Sequence, residues 1–218
     1  MKTEQHNTKE RILVAAASLF YSQGYDRTTV RQIAEKAQVN VALISYHFQG
    51  KQGVLEKLIS HYYDHFFKIV QEQWEKEKPQ DSMGQLEKIV RLFVFYQHEH
   101  ALVTRLIQRE LSVESMLARE VMTVYIHQLK HRFASVIEDG IQTGEFRSVS
   151  VDAVLMNLSS ILTYPYLNPQ IVREVYYLEP GSADFCEWLV TSSVQLLRSL
   201  LVHTGLNEKQ VGKGVVQP

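Results

Sequence analysis

Residues 24–51 read GYDRTTVRQIAEKAQVNVALISYHFQGK, and this stretch decides the fold of the N-terminal part of the chain. Asn40 is a good N-cap, because its side-chain oxygen can accept a hydrogen bond from a free N–H group of a following helix over residues 41–48. Two short helices, joined by a tight turn and followed by a basic and aromatic exit, predict a helix-turn-helix DNA reader. The first of the two has apolar residues at helical spacing, at Val30, Ile33, Ala34 and Ala37.

The helix boundaries around this stretch are predicted from residues that suit helix ends. Gly24 can end a preceding helix, since glycine adopts positive φ without steric cost. Either Thr28 or Thr29 can cap the next helix through its hydroxyl. Thr8 is predicted to cap a first helix over residues 9–23, which would brace the reader from behind. The buried stripe of that helix is predicted to comprise Ile12, Leu13, Ala16, Leu19 and Phe20.

The second helix of the reader is expected to present small side chains to DNA, with Leu43, Ile44 and Phe48 in the core. Methyl groups suit contact with thymine in the major groove, so Val41 and Ala42 are predicted to meet bases. Other side chains near helix ends can anchor phosphates, and some of them can reach either a base or a phosphate. These further predicted DNA-contacting residues are Thr28, Thr29, Arg31, Asn40, Ser45, Tyr46, His47 and Lys51.

The segment IAEKAQVNVALISYHFQGKQGVLEKLI, residues 33–59, resembles the DNA-binding signature of the TetR family of bacterial repressors. The resemblance covers roughly residues 8–60 and implies a homodimer that binds near-palindromic double-stranded DNA, with a body that can hold a small effector. Two positions depart from the family pattern. Gln38 stands where the family often has Gly, and Ser45 stands where it often has Tyr, so Tyr46 and His47 are expected to carry more of the phosphate contact.

Charge and cysteine content agree with a DNA-binding protein of the cytoplasm. The 218 residues carry a net charge of −1, but residues 1–52 hold seven Lys and Arg against four Asp and Glu, which gives +3 for the head and −4 for the remainder. A basic head on an acidic body suits contact with phosphate. Cys186 is the only cysteine, and neither a signal peptide nor a transmembrane segment is evident. We therefore expect a cytoplasmic, nucleoid-associated protein without a disulfide and away from membranes.

The remainder of the chain predicts further helices and no strands, so the predicted fold is all-α. One long helix over residues 53–74 is expected to link the head to the body. Gly144 is predicted to end a later helix, and two proline-containing turns bracket an irregular stretch over residues 168–181. The predicted domains are a DNA-binding head over 1–52, a regulatory and dimerisation body over 53–205, and a frayed tail over 206–218. Helices are also predicted at about 83–98, 101–111, 114–143, 150–163 and 183–203.

Dimerisation is expected to use the helices at 150–163 and 183–203, because each is apolar over more than one face. The residues predicted to meet across a two-fold axis are Val151, Val154, Leu155, Leu158, Ile161, Leu162, Leu189, Leu196, Leu197 and Leu200.

Catalysis, metal binding and a cofactor are not expected. The chain has no phosphate-binding glycine loop and no arrangement of nucleophile and base. Two histidine pairs at i, i+4 spacing, His61 with His65 and His127 with His131, can place two imidazoles on one metal. We interpret them as incidental, because no third ligand is evident. The aromatic residues of the body can line an effector pocket or simply pack the core, and the sequence leaves both alternatives open.

A charged cluster forms a second candidate surface, for a protein partner. The chain length, the aromatic-rich helices and the segment NVALISYHFQGKQGVLE, residues 40–56, resemble the RefZ branch of the family from sporulating Bacillus-type bacteria. That resemblance implies action on the cell-division protein FtsZ as well as DNA binding. An effector-released repressor of an adjacent operon is the alternative. The predicted docking residues are Arg105, Arg109, Glu110, Arg119 and Glu120.

Overall fold

The fold is all helical, which confirms the all-α prediction. A computed structural model describes residues 2–77, 79–112 and 116–202, with the side chains of 7–77, 79–111 and 123–202. This part of the chain forms ten helices and no strand. The helices are α1 (Lys2–Gln23), α2 (Val30–Ala37), α3 (Val41–Phe48), α4 (Lys51–Lys76), α5 (Ser82–Glu99), α6 (Ala101–Ser112), α7 (Met116–Gln142), α8 (Val151–Leu167), α9 (Pro169–Glu174) and α10 (Ala183–Leu201).

Three boundaries differ from the prediction. Helix α1 begins at Lys2, so Thr8 lies inside the helix and the prediction of an N-cap there was wrong. Helix α8 continues through the buried Pro165, which lies two residues before its end and costs the helix one hydrogen bond, because proline has no N–H to donate to the carbonyl of Ile161. The stretch predicted as irregular contains α9, which begins at Pro169, since the fixed φ of proline suits a first helical position. The predicted tail over 206–218 lies outside the described residues.

Helices α1, α2 and α3 pack around one apolar core that also includes the start of α4. Ile12 and Phe20 from α1, Ile33 from α2 and Ile44 from α3 are each 0% exposed. The helical spacing of these residues places them on the inner face of each element. The three helices and the start of α4 are therefore held together as one packed head.

The turn between α2 and α3 is held by α1. Gln38 has φ +53°, a left-handed conformation that favours glycine and costs most residues about 1–2 kcal/mol. The backbone N–H groups of Gln38 and Val39 donate to carbonyls of α2 at 3.0 and 2.9 Å. Arg11 of α1 donates through Nη2 to the carbonyl oxygens of Ala37 at 2.6 Å and Gln38 at 3.0 Å. These bonds maintain the turn without a glycine.

The segment that follows α7 contacts the ends of two other helices of the body. Gly144, with φ +78°, lies just beyond the end of α7, as predicted. The Glu145 carboxylate accepts from the backbone N–H groups of Ser82 at 2.7 Å and Met83 at 2.8 Å, which caps α5. Arg147 donates through Nε to the carbonyl of Leu200 at 2.7 Å and so caps α10. One short segment thus fixes the ends of two helices.

Helix α4 joins the head to the body without an interruption, and the predicted domain boundary at residue 52 falls in its first turn. Its buried stripe runs from Val54 to Val70 and contacts both parts. Lys88 of α5 donates to the carbonyls of Gln73, at 3.0 Å, and Glu77, which holds the C-terminal end of α4 against the body. None of the helices in the described residues is long and apolar enough to cross a membrane.

The inner faces of α8 and α10 pack inside the protomer, which corrects half of the predicted dimer interface. Each helix packs its more apolar face into the core of its own protomer. This apolar surface is therefore removed from water without a second subunit. The predicted interface residues that are buried in this way are Val154, Leu158, Leu162, Leu189 and Leu197. The other five are half-buried and border an outer face of mainly small and polar side chains, on which Met156 is 71% exposed.

Replacement of Ile44 tests the placement of α3 in the head. We expect Ile44→Ala to lower the free energy of unfolding by about 2–5 kcal/mol, because it leaves a cavity at a fully buried position. Val41→Ala, at an exposed position of the same helix, should change it by no more than about 0.5 kcal/mol. Urea denaturation followed by circular dichroism measures both, and equal effects of the two changes would contradict this packing.

Candidate DNA-binding surface

The outer face of α3 matches the prediction made for a recognition helix. Val41, Ala42, Ser45 and Tyr46 are exposed, while Ile44 and Phe48 are buried and Leu43 is half-buried. The face therefore presents two small apolar side chains, the short hydroxyl side chain of Ser45 and the phenol ring of Tyr46. Methyl groups and a hydroxyl of this size can approach base edges in the major groove.

Polar groups at both ends of α3 are arranged by local contacts. The Asn40 side-chain oxygen accepts from the backbone N–H of Ala42 at 2.9 Å, so Asn40 is the N-cap of α3, as predicted. This bond uses only the amide oxygen, and the amide N–H groups of Asn40 are donors of the kind that can bind a base or a phosphate. At the other end, the Tyr46 ring is 75% exposed and lies edge-on to the His47 ring, with centroids 4.8 Å apart.

Thr29, not Thr28, caps α2. The Thr29 hydroxyl oxygen accepts from the Gln32 N–H at 3.2 Å, and the Gln32 side-chain oxygen accepts from the Thr29 N–H at 2.8 Å. This reciprocal arrangement is a capping box. Thr28 is 1% exposed and donates to the Gly24 carbonyl at 2.7 Å, so its hydroxyl faces the interior. Arg31 is exposed in the first turn of α2.

Lys51 lies at the start of α4 and contacts the loop between α1 and α2. Its Nζ donates to the carbonyl of Tyr25 at 2.9 Å and to that of Asp26 at 3.3 Å, and lies 4.3 Å from the centroid of the Tyr25 ring. An ammonium group has three N–H donors, so these two bonds leave one for a phosphate. Lys51 therefore holds the loop, and its contact with DNA stays a prediction.

Two of the charged residues predicted as a docking patch, Arg105 and Arg109, contact the head. Arg109 donates to two backbone carbonyls of α1, and Arg105 donates to the Tyr21 hydroxyl at 3.0 Å. Glu110 is 9% exposed. Arg105 and Arg109 are half-buried where α6 meets the end of α1, and docking of a partner through these residues stays a prediction. Arg119 and Glu120 lie outside the residues whose side chains the structure describes.

The histidine pairs lie on the body, away from α3. The rings of His61 and His65 are parallel, with centroids 6.2 Å apart, and the His65 ring lies 5.8 Å from that of His100. Burial lowers the pKa of His100, and the nearby His65 lowers it further. His127 and His131 line an open groove between α4 and α7. Within the described residues, no group of three or more His, Cys, Asp or Glu has an arrangement that could hold a metal ion.

Two contributors to the surface were absent from the sequence-based prediction. Gln32 follows Thr29 by three residues, which is the spacing of a capping box, so a local signal for it existed. Arg11 supports the turn before α3 from a distant part of α1, and no local pattern marks such a contact. Arg11 and Gln32 support the predicted surface from within the head.

Both parts of the chain are similar to known bacterial regulatory proteins. Residues 12–58 match the family described as bacterial regulatory proteins, tetR family, and residues 83–191 match the tetracyclin repressor-like C-terminal domain. The chain is 37% identical over 179 residues to the "Probable HTH-type transcriptional regulator YttP" of Bacillus subtilis, which covers 82% of this chain and 86% of that relative.

More distant proteins share the same architecture. The chain is 23% identical over 177 residues to the HTH-type transcriptional repressor KstR2 of Mycolicibacterium smegmatis, covering 79% of this chain and 80% of that protein. Among solved structures, the fatty acid degradation regulator FadR from Bacillus halodurans superposes with a TM-score of 0.71 at 19% identity, over 86% of this chain and 96% of that one. At that identity the likeness is one of fold.

The cap of α2 can be tested by a pair of substitutions at Thr29. We expect Thr29→Ala to lower the free energy of unfolding by about 1 kcal/mol, because the Gln32 N–H loses its acceptor. Binding of this variant to operator and to random DNA should weaken by a similar factor, since the start of α2 is expected to contact phosphate. Thr29→Ser keeps the hydroxyl and serves as the control. Urea denaturation and binding to operator and random DNA measure both effects; identical behaviour of the two variants would refute this role.

Proposed function

The chain belongs to the TetR family of bacterial regulatory proteins, and on that premise we propose that it binds near-palindromic operators as a homodimer, with one head on each half-site. DNA binding and transcription regulation are what this family of proteins does. The single observation that carries the proposal is the exposed face of α3. Val41, Ala42 and Ser45 are exposed and short, with Asn40 before them and Tyr46 after them, and side chains of this size can approach base edges in a major groove.

Charge supports the assignment of separate roles within this surface. The head carries +3 and the remainder of the chain −4, so attraction to the phosphate backbone acts mainly on the head. Side chains at the ends of helices suit phosphate contacts, which orient the head without reading sequence. We assign this role to Thr29, Arg31, Tyr46, His47 and Lys51, and we assign base contacts to the residues in the middle of the α3 face.

A substitution in the middle of α3 and one at its end should separate these roles. We expect Ala42→Asp to abolish operator binding, because a carboxylate would enter the groove without a positive partner. Tyr46→Ala should weaken binding to operator and to random DNA by a similar factor, since a phosphate contact carries no base information. Fluorescence anisotropy with both DNAs measures the two constants. If Ala42→Asp bound the operator normally, α3 would not be the recognition helix.

The dimer is proposed to form through the outer faces of α8 and α10. Ala153 and Ser160 on α8 and Ser199 on α10 are exposed and small, and Ser192 is half-exposed, so two copies can approach closely there. Beside this face, Tyr164 and Trp188 are partly exposed on an open apolar groove of about 500 Å³ between α8, α9 and α10. A second copy would remove this apolar surface from water.

Replacement of Ser160 tests the dimer. The Ser160 hydroxyl is exposed and donates to the Met156 carbonyl at 2.8 Å, within its own helix. We expect Ser160→Arg to give a folded monomer, because a long cationic side chain would separate two closely packed helices. Gln128→Arg on α7, also exposed, should stay dimeric. Sedimentation velocity at micromolar concentration distinguishes the two; a dimeric Ser160→Arg protein, or a monomeric parent, would contradict the proposal.

Release of DNA by a small effector is the second candidate function, favoured by one buried amide. Gln97 of α5 is 0% exposed, and its Oε1 and Nε2 have no hydrogen-bond partner among the described residues. A buried amide without partners costs free energy, which a ligand with a matching donor and acceptor would recover. Tyr62, Tyr96 and Thr104 form a hydrogen-bonded group near it.

Action on FtsZ is the function suggested by the RefZ resemblance, and we keep it as a proposal. Arg105, Arg109 and Glu110 are engaged with the head, so FtsZ bound through them would compete with the head–body contact. Genome-wide mapping of bound sites separates the two candidate roles. Sites upstream of one adjacent operon support the effector-released repressor, whereas scattered chromosomal sites support the division-linked role.

A further inference from the structure

The C-terminal half of α6 is a second connection between the body and the DNA reader, besides α4. Nη2 of Arg109 donates to the Phe20 carbonyl at 2.5 Å, and its Nη1 donates to the Tyr21 carbonyl at 3.4 Å. One turn earlier, Nη1 of Arg105 donates to the Tyr21 hydroxyl at 3.0 Å. Residues four apart share one face of a helix, so α6 presents both guanidinium groups to the last turn of α1.

The contact between the Arg109 guanidinium and the last carbonyls of α1 is directional and is favoured by their opposite charges. The last carbonyls of a helix carry partial negative charge and lack partners within the helix, so a cation is stabilised there. A guanidinium is planar and holds its donors in a fixed fork, so Arg109 can bond two successive carbonyls from one position. The contact therefore restricts the orientation of α1 as well as its distance from α6.

Arg109 also compensates a buried charge beside the reader. The Glu110 carboxylate lies 3.8 Å from Nη2 of Arg109. Burial raises the pKa of Glu110, Arg109 lowers it, and Asp26 in the loop before α2 raises it. Lys51 donates to the carbonyls of Tyr25 and Asp26. The loop between α1 and α2 is thus bonded to the start of α4, and the end of α1 before it is bonded to α6.

The end of α1 is in turn bonded to the start of α2. Nε2 of Gln23 donates to the Thr28 hydroxyl at 3.2 Å and to the Gln32 side-chain oxygen at 3.1 Å. Gln32 belongs to the capping box of α2, and α2 shares its buried core with α3. A displacement of the end of α1 relative to α6 would therefore carry the recognition helix with it.

We propose that Arg109 is a positioning residue that sets the separation of the two recognition helices, and so the half-site spacing that the protein accepts. The inference rests on the dimeric DNA binding proposed above. The start of α4 is packed into the head, so with α4 as the only connection the head and the start of α4 would move together relative to the body. The attachment of Arg109 to α1 is a second connection that restricts this movement. Half-sites on one face of DNA lie about 34–36 Å apart, and each added base pair both lengthens and rotates this separation. A head whose orientation is fixed can follow little change in the distance or in the rotation between the half-sites.

The test is operator binding as a function of spacing. Full-length parent, Arg109→Ala, Arg109→Lys and a control, Arg198→Ala, are titrated with the operator, with operators whose half-sites are one or two base pairs closer or farther, and with a single half-site. Arg198 is partly exposed on α10, where its nearest acidic partner is Glu87 at 3.9 Å, away from the head.

The expected result is a change in preference rather than in affinity for one half-site. The parent and Arg198→Ala should prefer the natural spacing by about tenfold or more, and Arg109→Ala should lower this to about threefold or less. Arg109→Lys keeps the charge but loses the fork, so its preference should lie between the two. Single half-site binding should stay within about twofold in every variant. A spacing preference unchanged in Arg109→Ala overturns the inference.

A second measurement guards against a folding defect. If Arg109→Ala unfolds because Glu110 loses its partner, the double variant Arg109→Ala with Glu110→Gln replaces it. A spin label at the exposed position 35, introduced as Glu35→Cys in a Cys186→Ser background, reports the distance between the two heads without DNA. The distance distribution should broaden in the Arg109 variants, and an unchanged width overturns the inference. Absence of any spacing preference in the parent would instead refute the dimeric function on which the inference rests.

Discussion

Cationic side chains from other elements donate hydrogen bonds to the C-terminal carbonyls of four helices, and these bonds set how the head and the body are assembled. The last carbonyls of a helix have no partner within it, so each end must find a donor elsewhere. Arg11 adds a donor for α2, Arg109 for α1, Lys88 for α4 and Arg147 for α10. The Phe20 and Gln73 carbonyls also accept from the backbone N–H groups of Gly24 and Glu77. Each of these bonds joins two different helices, or a helix and a loop, and so restricts their relative orientation.

This arrangement suits a reader whose recognition surface is small. The exposed residues in the middle of α3 are short, and short side chains reach base edges only when the helix itself enters the groove at the correct depth and angle. The depth and angle of α3 must then be fixed by the residues that support this helix. The capping box at Thr29, the turn held by Arg11 and the loop held by Lys51 provide that support from within the head.

The charged residues of α6 have a different interpretation when only the sequence is considered. Arg105, Arg109 and Glu110 suggest a solvated or docking face, because charged residues at helical spacing are usually exposed. In the folded protein this face of α6 contacts the end of α1, and the arginines serve as donors to α1 carbonyls and to a tyrosine hydroxyl. The proposed binding of an outside partner through these residues would therefore compete with the contact between body and head.

Features that depend on neighbours along the chain could be predicted from the sequence. These are the all-α class, the helix at residues 41–48, the Asn40 cap and the buried and exposed faces of α3, because caps and periodicity act over a few residues. The folded protein was needed to see that Thr28 turns inward, that Lys51 and Arg109 contact α1 and its loop, and that Val154 and Leu189 pack within the protomer. These outcomes depend on residues brought together from distant positions, and such contacts leave no periodic trace in the chain.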